Sequence, residues 1–96
     1  MAQGITWSTE AKASLRKLTK YLKDHYSQEY AERISDGYIR EIEGVADHPT
    51  KGMFIDRKRN LRRWKLDRHN YLTYIITIDG IRVHDILPYK LNKKGF

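Results

Sequence analysis

The spacing of apolar residues changes near the middle of the chain. From Ala11 they recur at Leu15, Leu18 and Leu22, while Lys12, Arg16, Lys17, Lys20 and Lys23 fall off that stripe. Recurrence every three to four residues predicts an amphipathic helix. Ser8 or Thr9 stands where its N-cap is needed, and Glu10 suits the positive end of the helix dipole. A second stripe, Ala31, Ile34, Tyr38, Ile42 and Val45, is widened by Ile39 and Ala46. It predicts a helix that opens at Ser27 and stops at His48-Pro49, because the residue before proline avoids the α region. Gly37 and Gly44 interrupt this run at roughly 1 kcal/mol each relative to alanine; close approach of the two helices would explain them. The short link between the helices predicts an antiparallel hairpin.

Beyond residue 60 the period drops to two. Leu61 to Asp67 alternates, with Trp64 and Leu66 on one side and Arg63 and Lys65 on the other. Tyr71 to Ile78 is rich in β-branched and aromatic residues, aligning Leu72, Tyr74, Ile76 and Ile78. Asp79-Gly80 is a hairpin signal, and Ile81 to Leu87 forms a last strand stopped by Pro88. Ile5-Thr6-Trp7 reads as a short opening strand, residues 50–60 as an exposed connection, and Tyr89 to Phe96 as a tail. The expected architecture is α+β, one domain over residues 1–96. An N-terminal strand precedes an antiparallel helical hairpin packed on a mainly antiparallel four-stranded sheet. The sheet face away from the helices then shows Arg63, Lys65, Tyr71, Thr73 and Thr77.

Composition narrows the function classes. The absence of cysteine excludes disulfides and thiolate metal sites. His25, His48 and His69 fall near predicted ends or turns without ligand spacing, so no metal or cofactor is expected. The opening residues lack the basic start and apolar stretch of a signal peptide, and no run approaches the ~20 apolar residues of a membrane span. A cytoplasmic protein with no membrane partner is expected. The formal net charge is +7, and it is unevenly placed. Residues 1–50 hold seven basic and eight acidic side chains; residues 51–96 hold twelve and four. Such a one-sided field attracts nucleic acid or an acidic protein.

Four segments resemble the RelE/ParE superfamily of toxins from type II toxin–antitoxin systems. They are Trp7-Ser8 with Ala11, Leu15, Leu18, Tyr21 and Leu22; Ile42 through Pro49 to Gly52; Tyr71-Leu72-Thr73-Tyr74 with Ile76, Ile78, Asp79 and Ile81; and Ile86 through Asn92. The resemblance implies a growth-inhibiting toxin neutralised by a cognate antitoxin protein. It leaves the target open. RelE-like members cut mRNA on the ribosome, whereas ParE-like members poison DNA gyrase without being nucleases. A relic that only binds its antitoxin is a third reading. Ribosome-dependent mRNA cleavage, the activity of an mRNA interferase, is the leading expectation.

Cleavage through the RNA's own 2′-OH requires a base, an acid and cations around the phosphate. The resemblance places Arg63, Lys65, His84, Tyr89 and Lys90 at the catalytic site. Arg63 and Lys65 would hold phosphate, His84 or Tyr89 would move protons, and Lys90 would stabilise the transition state. Arg57, Lys58, Arg59, Arg62 and Tyr71 are the expected contacts to RNA or another target, with Tyr71 stacking on a base. Each has a plainer reading as well. His84, sharing a side with Arg82 and Ile86 by strict alternation, suits a hydrogen-bonded structural histidine. Arg57-Lys58-Arg59 suits a solvated loop or a contact to an acidic antitoxin. The chain also departs from the nuclease pattern. It lacks a terminal His-Tyr pair, has Lys90 where many relatives carry arginine, and offers Phe96 where others carry tyrosine. Lysine keeps the charge but loses the bidentate fork on phosphate.

Overall fold

The structure, a computed structural model, describes residues 4–89. In chain order these form β1 (Gly4–Trp7), α1 (Thr9–His25), α2 (Gln28–Asp47), a 3-10 turn (Pro49–Lys51), β2 (Met53–Asp56), β3 (Leu61–Lys65), β4 (Asn70–Ile76) and β5 (Gly80–Pro88). Lys90 and the residues after it lie outside the described residues.

Both helices begin at the serines the pattern marks. The Ser8 hydroxyl accepts from the Ala11 amide at 2.9 Å and donates to the His84 carbonyl at 2.6 Å. One cap therefore starts α1 and fastens it to β5. Ser27 accepts from the Tyr30 amide at 3.0 Å. The second helix ends at His48, whose amide donates to the Gly44 and Val45 carbonyls before Pro49 opens the 3-10 turn. The helix glycines do not mark a close approach: a Cβ on Gly37 would meet nothing within 4 Å, and one on Gly44 only the Lys51 ammonium at 3.8 Å.

The sheet has five strands in the order β1-β5-β4-β3-β2. Its β1–β5 pair is parallel and the other three pairs are antiparallel. The fifth strand is β2, inside the stretch expected to be a connection. It is short, lies at the edge, and is bulged, with Phe54 opposite Arg62, Asp56 opposite Leu61, and Ile55 left over between them. A two-residue regular stretch beside a charge cluster carries little alternation to read. Asn60 adopts φ 56° in the turn that follows, a conformation asparagine tolerates.

The β4–β5 hairpin closes differently from its Asp-Gly signal. Strand β4 ends at Ile76, the Thr77 amide donates to the Gly80 carbonyl at 2.9 Å, and Ile78 is fully exposed in the turn. No described glycine has positive φ. Gly80 is needed for proximity instead: a Cβ there would overlap the Gly4 carbonyl oxygen where β1 pairs with β5.

Both helices cover one face of the sheet. The core joins Ala11, Tyr38, Ile42, Val45 and Ala46 to Leu66, Leu72, Tyr74, Ile81, Val83 and Ile86. Two tyrosine hydroxyls tie loops to it. Tyr74, fully buried, donates to the Pro49 carbonyl at 2.6 Å and accepts from the Gly52 amide at 3.0 Å. Tyr38 donates to Asp67 at 2.7 Å and accepts from the Asn70 side chain at 2.8 Å, holding the β3–β4 turn against α2. Burial, reinforced by the Asp67 hydrogen bond, raises the Tyr38 hydroxyl pKa far above the usual tyrosine range. Burial raises that of Tyr74 as well, against opposing effects of Gly52 and Arg62. Neutral hydroxyls are therefore the form the fold requires.

Candidate functional site

Register decides which cations reach the uncovered face of the sheet. Arg62 pairs with Tyr74 and Trp64 with Leu72, so these two point toward the helices. The Trp64 indole accordingly donates to Glu41 of α2 at 3.0 Å. Arg63 pairs with Thr73, and Lys65 with Tyr71, on the opposite face. Tyr71 pairs in turn with Leu87 of β5, and Tyr89 lies two residues beyond Leu87. Among the described residues no element covers this face.

Four of the five expected catalytic residues, Arg63, Lys65, His84 and Tyr89, lie on this face or at its end. The fifth, Lys90, is outside the described residues. The Tyr71 ring is the hub: its centroid is 5.0 Å from that of Tyr89 at an interplanar angle of 44°, and the Arg63 guanidinium carbon lies 5.6 Å from it. Both tyrosines are half-buried, as is Arg63, while Lys65 is exposed.

His84 reaches the same face through a bulge. Thr73 pairs with Asp85 and Tyr74 with Val83, leaving His84 as the extra residue. A bulge re-aims side chains and shifts the alternation beyond it. Val83 and Ile86 both enter the core, while His84 is exposed. His84 thus does not share a side with Ile86, as strict alternation had it. Its Nδ1 lies 3.2 Å from the Thr73 hydroxyl, and Thr73 is only 2% exposed despite facing away from the helices. The neighbouring Asp85 carboxylate is turned from the face, accepting from Ser14 of α1 at 2.6 Å and from the Ile86 amide at 2.8 Å. The register adds Arg82, opposite Ile75 and Thr6, to the same surface.

The other expected target contacts divide. Arg62 spans the Thr50 and Gly52 carbonyls at 3.1 and 2.8 Å and sits 4.0 Å over the Phe54 ring. Arg57 lies 4.5 Å over the same ring. Phe54 is thus held by two cations on the helix side, and Arg62 is structural in its contacts. Arg59 and Asp56 approach to 3.9 Å within the turn, and Lys58 is exposed there. Tyr71 alone of this group joins the catalytic candidates. Sequence reasoning missed the Thr73–His84 contact, since a bulge has no period to reveal it. The Asp85–Ser14 contact was equally hidden, because it joins residues 71 apart in the chain.

The surface offers cations, one imidazole and an aromatic pair. Among the described residues, no cluster of three or more histidine, aspartate or glutamate side chains has the geometry to hold a metal ion. No described helix is long and apolar enough to cross a membrane.

Comparison with known proteins bears on most of the chain. The family model described as the ParE toxin of the type II toxin–antitoxin system parDE matches residues 5–88. A solved structure of the chromosomal ParDE system from P. aeruginosa superposes with a TM-score of 0.77 at 12% sequence identity, covering 93% of this chain and 98% of that one. At that identity the likeness is one of fold. Among curated protein sequences none matches this chain.

Proposed function

The chain belongs to the ParE toxins of type II toxin–antitoxin systems, and we propose that it arrests growth by poisoning DNA gyrase rather than by cutting mRNA. A toxin of such a pair has an antitoxin protein as its partner. The observation that carries the gyrase reading is the ParE family match across residues 5–88. The disposition of the uncovered face supports it. Cleavage through a 2′-OH needs a base and an acid placed about one phosphate. Here the Asp85 carboxylate next to the exposed His84 is turned to Ser14 and its own strand, and Tyr71 and Tyr89 pack on each other. Arg62 and Arg57 are spent on Phe54. What remains, Arg63, Lys65 and Arg82, is a positively charged docking surface suited to the gyrase–DNA complex.

The cognate antitoxin, on this reading, is an acidic or amphipathic protein whose capture is sped by the same charge. The test is a supercoiling assay with purified gyrase and purified toxin. Loss of supercoiling with accumulation of cleaved DNA is expected, reversed by the antitoxin. Undisturbed gyrase, together with new 5′ ends inside translated frames after induction, would sink the reading and restore mRNA cleavage.

A further inference from the structure

We propose that the uncovered sheet face binds single-stranded nucleic acid directly, with successive phosphates on Arg63 and Lys65 and a base against the Tyr71–Tyr89 pair. This inference does not depend on gyrase being the target, since it concerns the toxin and an oligonucleotide alone.

The spacing is set by the strand. Arg63 and Lys65 are two residues apart on one face of β3, a rise of about 6.6–6.8 Å, which an extended sugar–phosphate chain can follow. Lys65 stands directly opposite Tyr71, and the Arg63 guanidinium lies over the same ring, 5.6 Å from its centroid. A cation beside an aromatic ring is the pairing that holds a phosphate and its own base together. The two rings meet at 44° rather than in parallel, so neither fully covers the other, and Leu87 beside Tyr71 extends the apolar floor. Across the sheet, Arg82 prolongs the positive path, with the polar His84 side chain between it and Thr73. The one carboxylate of this stretch of β5, Asp85, is turned to Ser14 and its own strand, so the path is not interrupted by negative charge. Bases must be unstacked to lie on a tyrosine, which a closed duplex does not permit. The face therefore selects single strands. None of the contacts described needs a 2′-OH, so DNA and RNA share the chemistry that is recognised.

The experiment is fluorescence anisotropy of the full-length toxin with labelled oligothymidylate, oligouridylate and a duplex of equal length, at several salt concentrations. The expected result is binding to both single strands in preference to duplex. The slope of log affinity against log salt should be about −1.4, from two phosphates at roughly 0.7 each. Arg63→Ala should bring that slope to about −0.7, and Tyr71→Ala should weaken binding about tenfold or more. Tyr71→Phe, which keeps the ring, should bind as the parent does. Arg40→Ala, on the exposed side of α2, should change nothing. A preference between the two single strands would identify the source and still support the site. Duplex bound as tightly as single strands, or Tyr71→Ala binding normally in a folded protein, would overturn it. Failure to bind any oligonucleotide while gyrase is still poisoned would overturn the inference and leave the proposed function standing.

Discussion

The two faces of this sheet use the same residue types to different ends. On the covered face, Arg62 satisfies two backbone carbonyls and packs on Phe54, Tyr74 bridges Pro49 and Gly52, and Tyr38 joins Asp67 to Asn70. On the uncovered face, Arg63, Lys65 and His84 have no carboxylate partner among the described contacts, and Tyr71 packs at a tilt against another aromatic ring. A polar group taken from water must find a hydrogen-bond partner, so the covered face consumes its donors in building the fold. The other face leaves the Arg63 and Lys65 charges without such partners. The contrast teaches that position relative to the helices, rather than residue type, separates cations that tie the fold together from cations left facing outward.

The contrast breaks most severely at Tyr74. Replacing it with alanine removes a fully buried ring and leaves the Gly52 amide and Pro49 carbonyl without their bridge. Large aromatic-to-alanine changes in a core cost about 3–5 kcal/mol. In a 96-residue domain that is a large fraction of a total of roughly 5–15 kcal/mol. Chemical denaturation should show the midpoint falling accordingly. Tyr71→Ala, on the opposite face of the same strand, should lose far less stability.

Adjacent arginines give the sharpest version of the comparison. Arg62→Ala should destabilise by about 1.5–3 kcal/mol, the range for hydrogen bonds to a charged group. Arg63→Ala should stay within about 0.5 kcal/mol of the parent, as surface changes do, yet lose growth inhibition. Denaturation curves beside a plating assay separate the two. Equal stability loss in both variants would erase the distinction between the faces.

Raised tyrosine pKa values add a pH dependence confined to the covered face. Tyr38 and Tyr74 hold their protons more tightly folded than at the ordinary value of 10.0. The folded state then binds more protons than the unfolded one above that value. Their contribution is complete below about pH 10 and is lost as the pH climbs through the folded pKa values. The denaturation midpoint should therefore fall as pH rises past 10, and Tyr38→Phe, less stable at neutrality, should show a shallower fall.

Much of this division was legible in the chain. The 3.6-residue stripes marked both helices, and Ser8 and Ser27 marked where they start. Alternation from Leu61 to Lys65 alone puts Arg63 and Lys65 on the face opposite Trp64. Two irregularities defeated the pattern. Bulges at Ile55 and His84 shift the alternation by one, hiding β2 altogether and assigning Ile86 to the side of His84. The carbonyl contacts of Arg62 were hidden for another reason. A cation within a basic run looks solvated unless the loop carbonyls that receive it, those of Thr50 and Gly52, are known to be close.

Glycine offers the mildest test, because the glycines of this fold differ in what surrounds them. Gly80 lies against Gly4, where any side chain would strike the neighbouring strand. Gly37 lies inside α2 with nothing within 4 Å of where a Cβ would stand. Nothing in the packing offsets the backbone entropy it loses on folding. Gly37→Ala should therefore stabilise the protein by about 1 kcal/mol, read as a higher denaturation midpoint. The helix lies on the far side of the sheet from Arg63 and Tyr71, so growth inhibition should be unchanged. A loss of toxicity in this more stable variant would mean that the α2 surface around Gly37 contacts the target. The functional surface would then extend beyond the uncovered sheet face, and the assignment of one role to each face would have to be abandoned.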